Sequence, residues 1–121
     1  MQIAQKNFYK KLLGRAGENR AVEFLKNKGY KILKTNYKTP FGEIDIIAEE
    51  NSVIVFVEVK TRTSEEFGLP CEAVDKRKQE KYFKTATSYL QKEKKMDSEC
   101  RFDVIEIENG EINHIFNAFG V

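Results

Sequence analysis

The chain has 121 residues, of which 40% are hydrophobic and 33% charged. This composition is typical of a globular rather than a disordered protein, and one domain over residues 1–121 is predicted. No apolar run has the length needed to cross a bilayer, so we expect no membrane association. The formal net charge is only +2, which does not indicate nucleic-acid binding unless the basic residues are clustered.

The N-terminal segment and the cysteines both favour a cytoplasmic protein. Residues 1–13 contain no apolar block followed by a small-residue cleavage site, so we expect no secretion signal. Cys71 and Cys100 do not form a CxxC pair, and the single His114 adds no cluster of zinc ligands. Without an export signal, two reduced thiols are a better prediction than a disulfide.

Hydrophobic periodicity and turn residues predict the order helix, three strands, helix, two strands. An apolar stripe that stops at Gly29 predicts a first helix over about Arg15 to Lys28, and residues from about Ala4 either extend it or form a separate turn around Gly14. The later elements are expected at Tyr30 to Tyr37, Glu43 to Glu49, Ser52 to Lys60, Asp75 or Lys76 to Glu93 (helix), Arg101 to Glu108 and Glu111 to Phe116.

Turns are expected at Thr39 to Gly42, at Glu50-Asn51 and at Asn109-Gly110, and a polar loop is expected at Thr61 to Pro70. The helix between the third and fourth strands is long enough for a crossover connection. We therefore predict an α/β fold with a central mixed β-sheet flanked by helices, in the order α-β-β-β-α-β-β.

The third strand is apolar on both faces up to Val57, which is typical of a central strand covered on both sides. Glu58 and Lys60 follow on the same face as Ile54 and Phe56. An ionised carboxylate at the end of such a strand needs a partner, because its removal from water is costly.

The second strand places further carboxylates on that face. A reversal at Glu50-Asn51 pairs Asp45 with Phe56 or with Glu58, and either register puts Glu43 and Asp45 on the face of Glu58. Carboxylates about 5–8 Å apart repel one another, and a hard cation such as Mg²⁺ or Mn²⁺ would remove the repulsion. The other face is wholly apolar and suits the core, with Ile44, Ile46, Ala48 and the valines of the third strand.

An ordinary polar sheet face is the alternative interpretation, because the Glu-x-Lys spacing is common and Lys60 could simply pair with Asp45 or Glu58. A solvated face would not also carry Ile54 and Phe56, which disfavours this alternative.

Basic residues are clustered near the start of the second helix. Phosphate contacts are expected from Arg62, Arg77, Lys78 and Lys81, with Lys76 and Lys84 beside them. A solvated helix face that includes Glu80 is an equal alternative. Among the aromatic residues, Phe67 is the candidate substrate contact, whereas the core is expected to contain Tyr82, Phe83, Tyr89, Phe102, Phe116 and Phe119.

Asp45, followed thirteen residues later by Glu58-Val59-Lys60 on the neighbouring strand, resembles the PD-(D/E)xK nuclease superfamily. Over nearly the whole chain, the sequence resembles the bacterial YraN-type family, which is similar in turn to archaeal Holliday-junction resolvases. The segments that carry this resemblance are Gly17-Glu18, Ala21, Phe24-Leu25, Gly29-Tyr30, Gly42 to Ala48, Phe56 to Arg62, Gly68, Pro70, Ala73-Val74, Lys78 and Arg101 to Val104.

The resemblance implies a restriction-endonuclease-like fold and a catalytic site of Asp45, Glu58 and Lys60, with Glu18 as an added acidic ligand. Asp45, Glu58 and the Val59 carbonyl would hold Mg²⁺ or Mn²⁺, and Lys60 would position the attacking water. The implied function is an endonuclease that hydrolyses phosphodiester bonds of nucleic acid, DNA before RNA, with branched DNA as the candidate substrate. Ile44 precedes the first acid in place of proline, as is usual in the resolvase-like branch.

Two rival hypotheses remain from the sequence: a nucleic-acid-binding module of the same fold that does not cut, and a protein-interaction domain. Resolvase-like enzymes act as two-fold dimers, because a four-way junction presents two symmetric cleavage points. The resemblance therefore allows a homodimer, for which Phe116 to Val121 is the candidate surface by hydrophobicity. The sequence indicates no role for Asp103 beyond a structural hydrogen bond or ion pair.

Overall fold

The computed structural model describes residues 2–62 and 75–119, and residues 2–13 as helical backbone only. The element order α-β-β-β-α-β-β is confirmed. The elements are α1 (Gln2–Asn27), β1 (Lys31–Thr39), β2 (Gly42–Glu50), β3 (Val53–Arg62), α2 (Lys76–Lys92), β4 (Glu99–Glu108) and β5 (Glu111–Phe119). The predicted substrate contact Phe67, Cys71 and most of the predicted loop lie outside the described residues.

The five strands form one mixed sheet in the order β1-β2-β3-β4-β5. β3 and β4 are parallel, as the crossover through α2 requires, and the other neighbouring strands are antiparallel. The predicted α/β fold with a mixed sheet is therefore confirmed. Within the described part of the chain, no helix is both long and apolar enough to span a lipid bilayer.

Each helix covers one face of the sheet, and β3 contributes to both layers of the core. Ile54 and Phe56 pack in the cluster beneath α2, whereas Val55 and Val57 pack in the cluster beneath α1. The alternation predicted for this strand is confirmed. Because both layers bury β3, a charged side chain near its end is held close to low-dielectric surroundings.

The helix ends follow from local chemistry. α1 is one continuous helix through Gly14, which settles the alternative left open by the sequence. Asp75 caps α2, since its side chain accepts a hydrogen bond from the backbone N–H of Lys78 at 2.9 Å. β5 extends to Phe119, three residues beyond the predicted end.

The β2–β3 turn differs from the prediction by one residue. Asn51 and Ser52 form the turn, with φ of 49° and 67°, and Glu50 pairs with Val53. These positive φ values are those of a two-residue hairpin turn whose twist matches the strands. The turn selects the second of the two predicted registers, in which Ile47 pairs with Phe56 and the next positions beyond Ile46 and Val57 are Asp45 and Glu58.

The prediction that Ile44 shares a face with Ile46 is wrong. Ile44 packs beneath α2, whereas Ile46 packs beneath α1, so the alternation of β2 breaks at Asp45. Opposite this break, Asn36 of β1 has φ of 51°, a left-handed value that Asn tolerates better than most residues. Because of this break, the direction of the Asp45 side chain does not follow from strict alternation of the two sheet faces.

The C-terminal aromatic residues divide between core and surface. Phe116 is 53% exposed, so its predicted place in the core is wrong, while Phe119 is buried beneath α2 as predicted. The other four aromatic residues predicted for the core (Tyr82, Phe83, Tyr89 and Phe102) lie in this cluster or pack against it. Within the described part of Phe116 to Val121, only Phe116 presents a large exposed apolar side chain.

Candidate metal centre and active site

Asp45 lies where β2 stops pairing with β3. The last paired positions are Ile46 and Val57, and beyond them the Val59 N–H donates a 2.8 Å hydrogen bond to Asp45 Oδ2. The side chain of Asp45 thus replaces a backbone partner at the end of the ladder. Burial and the charge of Glu58 raise the pKa of Asp45 to about 7, against the lowering effect of the Val59 hydrogen bond.

Glu58 is buried, with 6% of its surface exposed, and its two oxygens have different surroundings. Oε1 lies 3.3 Å from Lys60 Nζ and 3.2 Å from Lys78 Nζ. Oε2 is buried and has no hydrogen-bond partner among the described residues. A buried acceptor without a partner costs on the order of 1–3 kcal/mol, so this oxygen is suited to a bound cation.

The Lys60–Glu58 pair of the alternative interpretation is therefore present, but it satisfies only one oxygen of Glu58. Burial and the neighbouring Lys78 lower the pKa of Lys60. Two ammonium groups therefore contact one carboxylate oxygen, Glu58 Oε1.

Glu18, Glu43 and Asp45 form a second group of carboxylates, each with one oxygen within 4.8 Å of the others. Burial and the charge of Glu43 raise the pKa of Glu18. The charge of Glu58 also raises the pKa values of both Asp45 and Glu18, so the four acids act on one another electrostatically. A divalent cation bound between these carboxylates would relieve their repulsion.

Glu18 reaches this site because α1 packs closely on β3 at Gly17. A Cβ atom at Gly17 would clash with Thr61 Oγ1, so this approach requires glycine at residue 17 while Thr61 keeps its position. The sequence indicated Glu18 only through resemblance, because helix α1 and strand β2 are brought together by the tertiary fold.

Asn36 is a site residue that the sequence analysis missed. With its amide oriented for hydrogen bonding, Nδ2 lies 2.8 Å from Glu18 Oε1 and 3.0 Å from Glu43 Oε1. Asn36, on β1, thus connects Glu18 of α1 with Glu43 of β2. An asparagine within a strand is disfavoured by β-propensity, and this was the available signal.

A cleft of about 480 Å³ adjoins the acids, lined by Gly42, Glu43, Asp45, Glu58, Asp75, Arg77, Lys78, Lys81 and Tyr82. Three of the four predicted phosphate contacts, namely Arg77, Lys78 and Lys81, therefore line one cleft with Asp45 and Glu58. Arg62 differs, because its Nε lies 3.2 Å from Glu106 Oε2 in an ion pair.

The donor set fits a hard divalent cation. Carboxylate oxygens are the ligands that Mg²⁺ and Mn²⁺ prefer, and Glu58 Oε2 has no described partner to displace. The N–H and C=O of one strand residue point toward the same neighbouring strand. The Val59 carbonyl therefore points toward the side of Asp45, where β2 no longer pairs with β3.

Asp103 lies in a separate buried network. Its carboxylate accepts hydrogen bonds from Arg101 Nε at 3.1 Å, His114 Nε2 at 2.7 Å and the Asn117 N–H at 2.9 Å. Arg101 also contacts Tyr30 and Glu50. These contacts agree with the structural role predicted for Asp103.

The fold and this site define an α/β protein with a carboxylate cluster at the end of two central strands. The chain belongs to UPF0102, described as an uncharacterised protein family, whose profile matches residues 17–107. This match supports the resemblance to the YraN-type family.

The chain is similar to several UPF0102 proteins from bacteria. It is 50% identical over 106 residues to one from Persephonella marina, covering 88% of this chain and 91% of the relative. It is also 50% identical to one from Caldanaerobacter subterraneus subsp. tengcongensis, covering 94% and 99% of the two chains. A relative from Alkaliphilus oremlandii is 51% identical, with 90% and 98% covered.

Proposed function

We propose that this protein is a Mg²⁺- or Mn²⁺-dependent nuclease that hydrolyses phosphodiester bonds of DNA in the cytoplasm. The observation that carries the proposal is the buried Oε2 of Glu58, which has no hydrogen-bond partner among the described residues and belongs to a residue that lines the same cleft as Asp45. The proposal includes a place in the PD-(D/E)xK superfamily, with a resolvase-like preference for branched DNA and a two-fold dimer that matches a four-way junction.

Asp45, Glu58 and the Val59 carbonyl would hold the cation, with Glu18 and Glu43 close enough to add oxygen ligands. When bound, the cation supplies Lewis acidity that polarises the scissile phosphate. Asn36 would keep the carboxylates of Glu18 and Glu43 in place.

The lysines have a separate role at the phosphate. Lys60 and Lys78 both contact Glu58 Oε1, so their ammonium groups lie at the edge of the site. From there, Lys60 would orient the attacking water and both lysines would stabilise negative charge that develops on the phosphate. Arg77 and Lys81, in the wall of the cleft, would bind neighbouring phosphates.

Cleavage of four-way junction, flap, single-stranded and linear duplex DNA tests the proposal, with Mg²⁺, Mn²⁺ or EDTA. Metal-dependent cleavage that Asp45→Asn and Lys60→Ala both abolish is the expected result. Glu50→Gln is the matched control, because Glu50 is also on β2 but its carboxylate contacts Arg101. Cleavage that survives both site substitutions, or that EDTA does not reduce, would contradict the proposal.

A nucleic-acid-binding module that does not cut is the second candidate. It is favoured by the two lysine contacts to Glu58, which neutralise that carboxylate without a cation. Such a module would bind DNA equally in EDTA, and Mn²⁺ would not raise its Tm. A nuclease with this site gains stability from its cation, by about 2.7 kcal/mol at a cation concentration of one hundred times Kd.

A further inference from the structure

The turn between β1 and β2 presents an aromatic side chain beside the cleft. Phe41 is 49% exposed and directly precedes Gly42 and Glu43, which line the cleft. Among the described residues, Phe41, Met96 and Phe116 are the large apolar side chains that stay exposed. Of these three, only Phe41 adjoins the candidate site in the chain.

The turn that carries Phe41 is anchored to α2. The Phe41 N–H donates a 3.1 Å hydrogen bond to Thr39 Oγ1, which lies 3.2 Å from Thr85 Oγ1. Thr85 is fully buried and donates a hydrogen bond of 2.8 Å to the Lys81 carbonyl. The ring therefore extends from a turn that hydrogen bonds already hold in place. Little backbone entropy of this turn is lost when the ring binds a partner.

One lysine lies over the exposed ring, and a second lies on the same helix. Lys84 Nζ lies 5.7 Å from the ring centroid, and Lys81, one helical turn earlier, lines the cleft. About half of the Phe41 side chain remains exposed with Lys84 in this position. An exposed aromatic face beside cationic side chains is the combination that binds an unpaired base together with its phosphates.

We propose that Phe41 is a stacking site for an unpaired nucleobase next to the scissile phosphate, with Lys84 beside it binding the strand. This inference rests on the proposed nuclease function and adds to it a substrate class: DNA with single-stranded character at the cleavage point. In duplex DNA the bases are stacked on one another, so the ring gains a partner only where a base is unpaired.

Fluorescence anisotropy in EDTA, where the proposed nuclease does not cut, tests the inference. The probes are a DNA fork with single-stranded arms, the same fork with abasic arms, and a blunt duplex. Phe41→Ala is expected to weaken binding of the fork by roughly tenfold, within the range for loss of one base–aromatic stack, and to leave duplex binding unchanged. Phe41→Trp is expected to retain the wild-type affinity.

Two controls separate stacking from other causes. Phe116→Ala removes an exposed phenylalanine that also has a lysine over its ring, Lys28 Nζ at 4.7 Å, but lies on the opposite edge strand. It is expected to leave all affinities unchanged. Phe41→Leu keeps apolar volume without the ring, and is expected to bind the fork as weakly as Phe41→Ala. Thermal unfolding verifies that each variant is folded.

The abasic fork gives the sharpest comparison, because it keeps the phosphates and removes the bases. Wild-type protein is expected to bind it about as weakly as Phe41→Ala binds the normal fork, with no further loss in Phe41→Ala. Equal fork binding by wild type and Phe41→Ala, or equal losses on fork and duplex, would overturn the inference. If metal-dependent cleavage persists in that case, the proposed nuclease function stands; if wild type neither binds nor cuts any probe, both fail.

Discussion

The backbone N–H of Val59 donates a hydrogen bond of 2.8 Å to Asp45 Oδ2, across the point where β2 and β3 cease to pair. One carboxylate oxygen thus accepts a hydrogen bond from β3 beyond the paired residues, and this bond anchors the Asp45 side chain at the end of the ladder. One carboxylate oxygen of this backbone-anchored side chain lies within 4.8 Å of an oxygen of Glu18 and of an oxygen of Glu43.

The metal-free protein is expected to lose stability as pH rises from about 4 to about 7. Burial and Glu58 raise the pKa of Asp45 from 3.8 to about 7, so the folded state binds a proton in this range that the unfolded state releases. The contribution of protonated Asp45 to the free energy of unfolding is fully present below pH 4, and it is lost as the pH rises through 7. Its size is on the order of 2 kcal/mol, because partial exposure reduces the effect.

Asp45→Asn isolates that contribution. The asparagine carbonyl oxygen still accepts the Val59 hydrogen bond, but the side chain does not ionise. In EDTA, urea unfolding is expected to show the variant to be more stable than wild type at pH 8 and similar at pH 4. A difference that does not change between these pH values would contradict the raised pKa.

Gly17→Ala is expected to destabilise the protein and weaken binding of Mn²⁺, because the new Cβ would clash with Thr61 Oγ1 and displace Glu18. Gly14→Ala is the matched control in the same helix, since among the described residues no atom apart from the neighbouring backbone of α1 lies within 4 Å of a Cβ there. It should stabilise the protein by about 0.5–1 kcal/mol through helix propensity.

Thr61→Ala removes the clashing oxygen and should restore the Gly17→Ala variant. Thermal unfolding and Mn²⁺ titration measure both properties. If Gly17→Ala behaves like Gly14→Ala, then close packing of α1 on β3 does not position Glu18.

Asn36→Gly is expected to weaken Mn²⁺ binding by roughly tenfold, since outer contacts of this kind orient the ligands. Glycine accepts the φ of 51° without strain, so the substitution removes the amide and keeps the backbone. Asn51→Gly is the matched control, because Asn51 also has a positive φ of 49° but lies in the β2–β3 turn. Equal Mn²⁺ affinity in the two variants would show that Asn36 does not orient the acids.

Asp103→Ala is expected to destabilise the fold by roughly 3 kcal/mol or more, because Arg101 and His114 would lose their buried partner. Although burial alone would raise it, hydrogen bonds from His114, Asn117 and Arg101 keep the pKa of Asp103 below its ordinary value. Urea unfolding measures the loss, with the exposed Asp97→Ala as control. Under folding conditions Mn²⁺ affinity should be unchanged, and a loss of affinity would place Asp103 in the site.

The sequence predicted the elements whose pattern is local. Alternation identified β3 as the central strand, and Asp75 was recognised as the N-cap of α2. The sequence did not predict the face on which Ile44 lies. The break in alternation at Asp45, opposite Asn36, arises from pairing among β1, β2 and β3. Hydrophobic alternation also did not predict the one-residue shift of the β2–β3 turn, in which Asn51 and Ser52 have positive φ.

Part of the candidate site was also predicted from the sequence. Parity placed Asp45 and Glu58 on one face of two neighbouring strands. For the basic residues of α2, a phosphate-binding surface and a solvated helix face were equal predictions, and Lys78 and Lys81 line the cleft. The ion pair of Arg62 with Glu106 was not foreseen, since their strands are parallel neighbours joined through α2. The sequence signal for Phe41 is an aromatic residue that follows proline in a polar turn.

A divalent cation held by Asp45 and Glu58 is the central claim, and anomalous diffraction from crystals grown with Mn²⁺ tests it most directly. The expected result is an anomalous peak at about 2.1 Å from an oxygen of Asp45 and from Glu58 Oε2, lost in Asp45→Asn. A crystal in saturating Mn²⁺ with no peak there, and with Glu58 still paired to Lys60 and Lys78, would contradict the claim.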